Sequence, residues 1–273
     1  MYCQGACATR GSFRAMRAHA VLMDVTHRLL VIDGVPFAVD VPAGERPLRA
    51  LEVAAPAKLG RELPVPLAQH VAGDDAWFAF VDDTLTAASL TAAALTAAGV
   101  TAGELIAGEL VPLRTWATRF AAPWTLYVEG MLGGWRPPTT DLIAFYFGNE
   151  PRLASQLAHH VVKGTKRGTT SWVALAEREG WDSFRVGLVS IVTDGFGIPL
   201  CAIETTRIER ARFRDAGPEI AAAEGEGDMS LEDWRAAHVH YFAREAARIG
   251  IPFTDDSELE YEYFKVLHVF QRT

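Results

Sequence analysis

The sequence predicts an α+β fold in which the C-terminal half is a small, partly closed β-barrel with flanking helices, preceded by a smaller α+β domain. Three observations carry this expectation: hairpin signals occur in both halves, helices with recognisable ends separate them, and the periodic stretch "YEYFKVLHVF" closes the chain as a strand. Strands and helices are therefore mixed without the regular alternation of a parallel α/β sheet.

In chain order, "HRLLVIDGVPFAVDV" places Asp33-Gly34 between two β-rich runs, with Val35, Phe37, Val39 and Val41 at alternate positions, and reads as a hairpin. A strand from Trp77 to Val81 and an alanine-rich helix from Leu85 to Ala98, stopped by Gly99, follow. The glycines and consecutive prolines of "GGWRPPTT", Gly133 to Thr140, mark a linker. We expect a first domain over residues 1–125, its first 16–20 residues a flexible tail, and a second over 141–273. In the second, Asn149 is read as the cap of a helix that begins at Pro151, turns Leu153, Leu157 and Val161 to one face and stops before Gly164. Strands at Leu188 to Thr193 and Leu200 to Glu209 flank the turn "DGFG". Ser230, with Asp233 three residues on, opens a helix that carries Leu231, Trp234, His238, Tyr241 and Phe242 near one face and ends at Gly250.

Composition excludes several classes. A hydrophobic fraction of 49% with 22% charged residues is too apolar for a wholly disordered chain. No run approaches the roughly 18 apolar residues of a membrane span, and the first 20 residues lack the apolar centre of a secretory signal, so no membrane partner and a cytoplasmic location are expected. Three cysteines make no disulfide framework. Cys3 and Cys7 are spaced C-x-x-x-C, but His19 and His27 are poorly placed to complete a four-ligand zinc site, and neither a metal nor a cofactor is expected. Residues 1–120 hold no recognisable catalytic spacing, which leaves a structural role or a protein partner for the first domain. A net charge of -8 argues against indiscriminate nucleic-acid binding but leaves room for a local basic groove.

Such a concentration exists at "KGTKRGTT", Lys163 to Thr170, three cations in eight residues. Lys163, Lys166 and Arg167, with Arg207, Arg210, Arg212 and Arg214 later in the chain, are candidates to follow RNA phosphates. Exposed arginines on an alternating strand fit a solvated face equally well. Trp172 and Tyr146 are candidate stacking surfaces for unpaired bases. His159 and His160 suit a helix C-terminus, where the dipole favours cations, and His238 and His240, two apart on a helix, do not share a face.

Four blocks, "FYFGNEPRLASQLAHHVVKGTKRGTTS", "VSIVTDGFGIPLCAIETTRIE", "AAAEGEGDMSLEDWRAAHVHYFARE" and "EYFKVLHVF", resemble in order the ASCH domain family over about Asp141 to Phe270. The resemblance implies a barrel similar to the PUA domains, association with single-stranded RNA or a nucleoside, and, in some members, hydrolysis of RNA or of acylated cytidine. It further implies a K-x-x-T motif and a downstream acid, which fall here on Lys166, Thr169 and Glu226, with Glu224 and Glu204 as other positions for the acid. In that chemistry a threonine hydroxyl attacks once a base takes its proton, and a lysine is such a base if burial lowers its pKa. Lys166 as a phosphate or carboxylate clamp is the competing reading. The chain departs from the family at Asn149, which stands where an aspartate is frequent, and at Ala174, Ala176, Leu188 and Ala243, changes that bear on the pocket lining more than on the fold.

Overall fold

The computed structural model describes residues 16–85, 89, 108–181 and 184–270; Cys3, Cys7 and nearly all of the alanine-rich segment lie outside them. A first sheet contains β1 (Arg17–Met23), β2 (Leu29–Ile32), β3 (Val35–Asp40), β4 (Ala68–Ala72), β5 (Asp75–Val81) and β6 (Gly108–Val111), in the order β4-β5-β1-β3-β2-β6. The hairpin expected at Asp33-Gly34 joins β2 to β3, with Ile32 opposite Val35. Both turn residues have positive φ, 51° and 77°, the geometry whose twist suits a two-residue hairpin. Alternation along β1 divides its side chains: Ala18, Ala20 and Leu22 meet Leu51, Ala55 and Leu59 of α1 (Pro47–Leu59), while Val21 and Met23 face the other way.

That second face is where the halves join. Val21, Met23, Leu29 and Val31 share one apolar cluster with Trp116 of α2 (Leu113–Arg119), Leu126 of α3 (Ala121–Leu126), Tyr127 of the following π-helical turn, and Leu142, Ala144, Val189, Ile191 and Ala202 of the second sheet.

The second sheet runs β7-β9-β10-β11-β8, from β7 (Leu142–Phe145), β8 (Gly168–Trp172), β9 (Val189–Thr193), β10 (Pro199–Arg212) and β11 (Glu258–Val269). Its helices are α4 (Pro151–Lys163), α5 (Val173–Glu179), α6 (Pro218–Glu224) and α7 (Leu231–Ile249). The α+β class is as expected, whereas the barrel is not closed. The edge strands β7 and β8 have four and five residues, and three strands separate them. Long β10 and β11 supply the bending instead, with register shifts at Ala202/Ile203 and Thr205/Arg207.

Local punctuation follows the sequence closely. Pro151 opens α4, Gly164 closes it at φ 91°, and the Ser230 hydroxyl accepts from the Asp233 amide at 3.1 Å. One cap differs: Glu150 occupies the N-cap of α4, and Asn149 instead donates from Nδ2 to Glu245 at 2.9 Å, tying α4 to α7. No helix among the described residues is long and apolar enough to cross a membrane.

Candidate functional site

The loop after α4 turns back on its own helix, with the Lys166 amide donating to the His160 carbonyl at 3.1 Å. Arg167 follows; its amide donates to Ala223 of α6 at 2.7 Å, which brings the end of α6 against the loop. Gly225, just past α6, allows the contact: a Cβ there would lie 2.0 Å from the Thr165 carbonyl oxygen, and its φ of 62° suits glycine. Glu224 and Glu226 therefore flank a glycine pressed against the lysine loop.

The Lys166 side chain is 1% exposed. Its Nζ donates to Glu224 Oε2 at 3.0 Å and to Glu226 Oε1 at 2.5 Å, and lies 5.1 Å from the centre of the Phe147 ring. Glu224 is buried, and its Oε1 accepts from Thr170 Oγ1 at 2.5 Å and from the Trp234 indole at 3.0 Å, with His238 Nε2 at 3.4 Å. Glu226 keeps 32% of its side chain exposed and is the opening of this cluster toward solvent.

Charge pairing decides the protonation. Burial pulls the Lys166 pKa down, but Glu224 and Glu226 outweigh it and hold it above the ordinary lysine value. Burial likewise opposes ionisation of Glu224, yet Lys166, His238 and the Thr170 hydrogen bond keep its carboxyl well below the usual range. His238 is raised because the attraction of Glu224 exceeds the burial cost. The condition on which Lys166 would act as a base, a pKa lowered by burial, is not met: the two carboxylates beside it hold its pKa up and favour the ammonium form.

Lys166 and Glu226 are brought together, and Glu224 joins them. Thr169 is not bonded to them: it is half-buried on β8, and its hydroxyl makes no hydrogen bond among the described residues, the contact to Glu224 coming from Thr170. Glu204 is elsewhere, paired with Lys265 at 3.1 Å. In the register of β8 on β11, Thr169 stands opposite Glu262, so the two side chains share one face. Glu262 is buried; its Oε1 accepts from Thr205 Oγ1 at 2.5 Å, and its Oε2 is buried with no partner. Burial, opposed by the Thr205 hydrogen bond, pushes its pKa up to about 7.

The expected nucleic-acid ligands do not form one surface. Trp172 is 2% exposed and packed against Phe242 and Phe253, so it offers no face to a base; a large aromatic at the β8–α5 junction is core. Arg167 directs its guanidinium inward to the carbonyls of Val161 and Lys166, at 2.8 and 2.7 Å, and closes the end of α4. Arg207 pairs with Glu209 at 2.5 Å and lies over Tyr263, while Arg210 pairs with Glu260 at 2.8 Å. Lys163 is exposed and lines a different place, an open groove of about 800 Å³ along α4 that also holds Arg152, Gln156, His159, His160 and Phe196. His240 is exposed, while His238 belongs to the buried cluster. Thr170, Trp234 and Glu262 were not singled out from sequence; the signal available for Glu262 was a lone acid between tyrosines in "YEYF".

The C-terminal half is thus an α+β unit with a bent mixed sheet, parallel only between β7 and β9, flanking helices and a lysine held between carboxylates beside one edge strand. The model of the ASCH domain family matches residues 143–268, and the C-terminal half of this chain is an ASCH domain, a PUA-like fold associated with RNA binding. Among solved structures, an ASCH domain from Lactobacillus crispatus JV V101 is similar at 32% identity and TM-score 0.47, over 53% of this chain and 93% of that one. A protein from Enterococcus faecalis V583 is similar at 24% identity and TM-score 0.46, over 54% of this chain and 87% of that one. No curated protein matches.

Proposed function

We propose that the ASCH half is a hydrolase of RNA or of a modified nucleoside, acting at the Lys166 cluster. The observation that carries this reading is the buried ammonium ion with two carboxylates, one of them open to solvent. Such a cluster is costly to bury and, as a structural device, is usually no better than an apolar replacement, so chemistry is the stronger reason for it. Lys166 then supplies fixed positive charge toward a developing oxyanion or a phosphate, and Glu226 moves a proton between the site and solvent. In amide hydrolysis Thr169 is the nucleophile; in RNA cleavage the ribose hydroxyl attacks and Thr169 is dispensable.

Turnover of acylated cytidine and of a short single-stranded RNA by the purified chain tests the reading. Lys166→Met should lower turnover at least about 100-fold on either substrate, the size of one preorganised electrostatic contact. Thr169→Ala should remove only amide hydrolysis. Turnover unchanged in Lys166→Met would overturn the reading.

The exposed groove along α4 favours a second reading, a binding module without catalysis. Arg152 and Lys163 offer phosphate contacts, and Phe196, 58% exposed, offers a stacking face. Retained RNA binding by a parent protein that turns over neither substrate is the result that would select it.

A further inference from the structure

We propose that Glu262 is the general base that takes the proton of Thr169, a catalytic residue on β11 outside the lysine loop and the α6 acids. The inference rests on the hydrolase reading in its amide-hydrolysis form. It starts from a gap: Thr169 needs a proton acceptor, and Lys166, already protonated between two carboxylates, cannot be one. Glu224 cannot serve either, since its two oxygens are occupied by Lys166, Thr170, Trp234 and His238, and Glu226, held on Lys166 Nζ at 2.5 Å, is the group that exchanges protons with solvent.

Glu262 meets each requirement. It stands directly across the ladder from Thr169, where opposed side chains have Cβ atoms about 4.5–5.5 Å apart, close enough for a rotation to bring carboxylate and hydroxyl together. One oxygen is anchored by Thr205 and the other is buried without a partner, a state that is unfavourable unless a group docks there. The groups facing it are the Thr205 hydroxyl from β10, Lys166 from the loop before β8 and Glu260 from its own strand. Burial dominates among them and sets its titration near neutrality, where a general base is most effective.

The step balances. Thr169 Oγ1 bonds to the acyl carbon of an acylated exocyclic amine as its proton passes to Glu262 Oε2. The carbon–nitrogen bond breaks, and the amine leaves with the proton returned by Glu262. Water then attacks the acyl-threonine, gives a proton to Glu262, and releases the carboxylic acid; that proton restores the Thr169 hydroxyl.

The test is acetylation of Thr169 by p-nitrophenyl acetate, followed by peptide mass spectrometry across pH 5 to 9 alongside turnover of acylated cytidine. The parent should acetylate at Thr169 with a rate that rises through about pH 7. Glu262→Gln should lower the rate about 100-fold or more and flatten the profile. Thr205→Val, which removes the hydrogen bond that favours the carboxylate, should move the rise to higher pH, and it reports on Glu262 even if the glutamine variant folds poorly. A parent-like rate and profile in both variants overturns the role of Glu262 while leaving Thr169 as nucleophile. Absence of Thr169 acetylation in a parent that also fails on acylated cytidine overturns the amide-hydrolysis reading and this inference with it.

Discussion

A lysine taken out of water loses several kcal/mol of hydration unless carboxylates replace it, and at Lys166 two do. The arrangement makes each partner dependent on the other. Glu224→Ala strips a buried ammonium ion of its better-shielded partner and should destabilise the fold by about 3–5 kcal/mol in urea unfolding at pH 7. The pH dependence follows from the same pair. The Glu224 pKa is lower folded than unfolded, so on acidification the unfolded chain takes up the proton first. Its stabilisation is complete above the unfolded value of about 4.3 and is lost progressively as pH falls below it. A Glu224→Gln variant should accordingly show a shallower loss of stability between pH 4.5 and 2.5 than the parent, and an equal slope would refute the assignment. At this scale the lysine was legible, because three cations in a short loop are conspicuous in an acidic chain. Which of Glu224 and Glu226 turns inward was not, since Gly225 leaves the backbone direction open until Thr165 fixes it. Glu262 was hidden for another reason: both faces of β11 are apolar, Tyr261 and Leu259 on one, Phe264 and Val266 on the other, and alternation alone does not say which holds a buried acid.

Helix ends follow local rules, and those rules were readable: Pro151, Gly164, Ser230 and Gly250 all stand where the helices begin or stop. Side chains that reach across elements were not readable. Asn149 goes to α7 and Arg167 to the carbonyls of α4, contacts set by tertiary packing. Arg167→Ala should therefore act as a structural change, costing about 1–2 kcal/mol for two charge-assisted hydrogen bonds with little effect on the salt dependence of RNA binding. The outer face of α4 should behave in the opposite way. If RNA lies along it, Lys163→Ala should weaken binding of a single strand and reduce the slope of log affinity against log salt by about 0.7, with thermal stability unchanged. A full parental slope in that variant would remove α4 from the interface.

Across the whole molecule, the turn after β1 meets the β9–β10 turn through one histidine. His27 is buried, donates from Nε2 to the Gly197 carbonyl at 2.6 Å and accepts at Nδ1 from the Tyr127 hydroxyl at 3.0 Å. Burial lowers its pKa, so the folded chain holds it neutral. Below the unfolded value of about 6.5 the unfolded state binds the extra proton, and this contribution to stability is lost as pH falls. His27→Gln should flatten the stability profile between pH 6.5 and 5 and lower stability at pH 7.5 by about 1–3 kcal/mol, through the buried groups it leaves imperfectly paired. The sequence did not disclose this contact, nor the open edges of the second sheet. Both depend on pairings between segments distant in the chain, 170 residues for His27 and Gly197, whereas the hairpins and caps depend on residues a few positions apart.

We propose that ligand chemistry takes place at Lys166 and Glu226, beside the β8–β11 edge that carries Thr169. Amide chemical-shift mapping with acylated cytidine tests it most directly, because it locates the ligand whether or not turnover follows. Perturbations should centre on Thr165 to Thr170, Glu224 to Gly227 and Tyr261 to Tyr263, and vanish in Lys166→Met. Perturbations confined to the α4 groove, or identical in the parent and that variant, would contradict it.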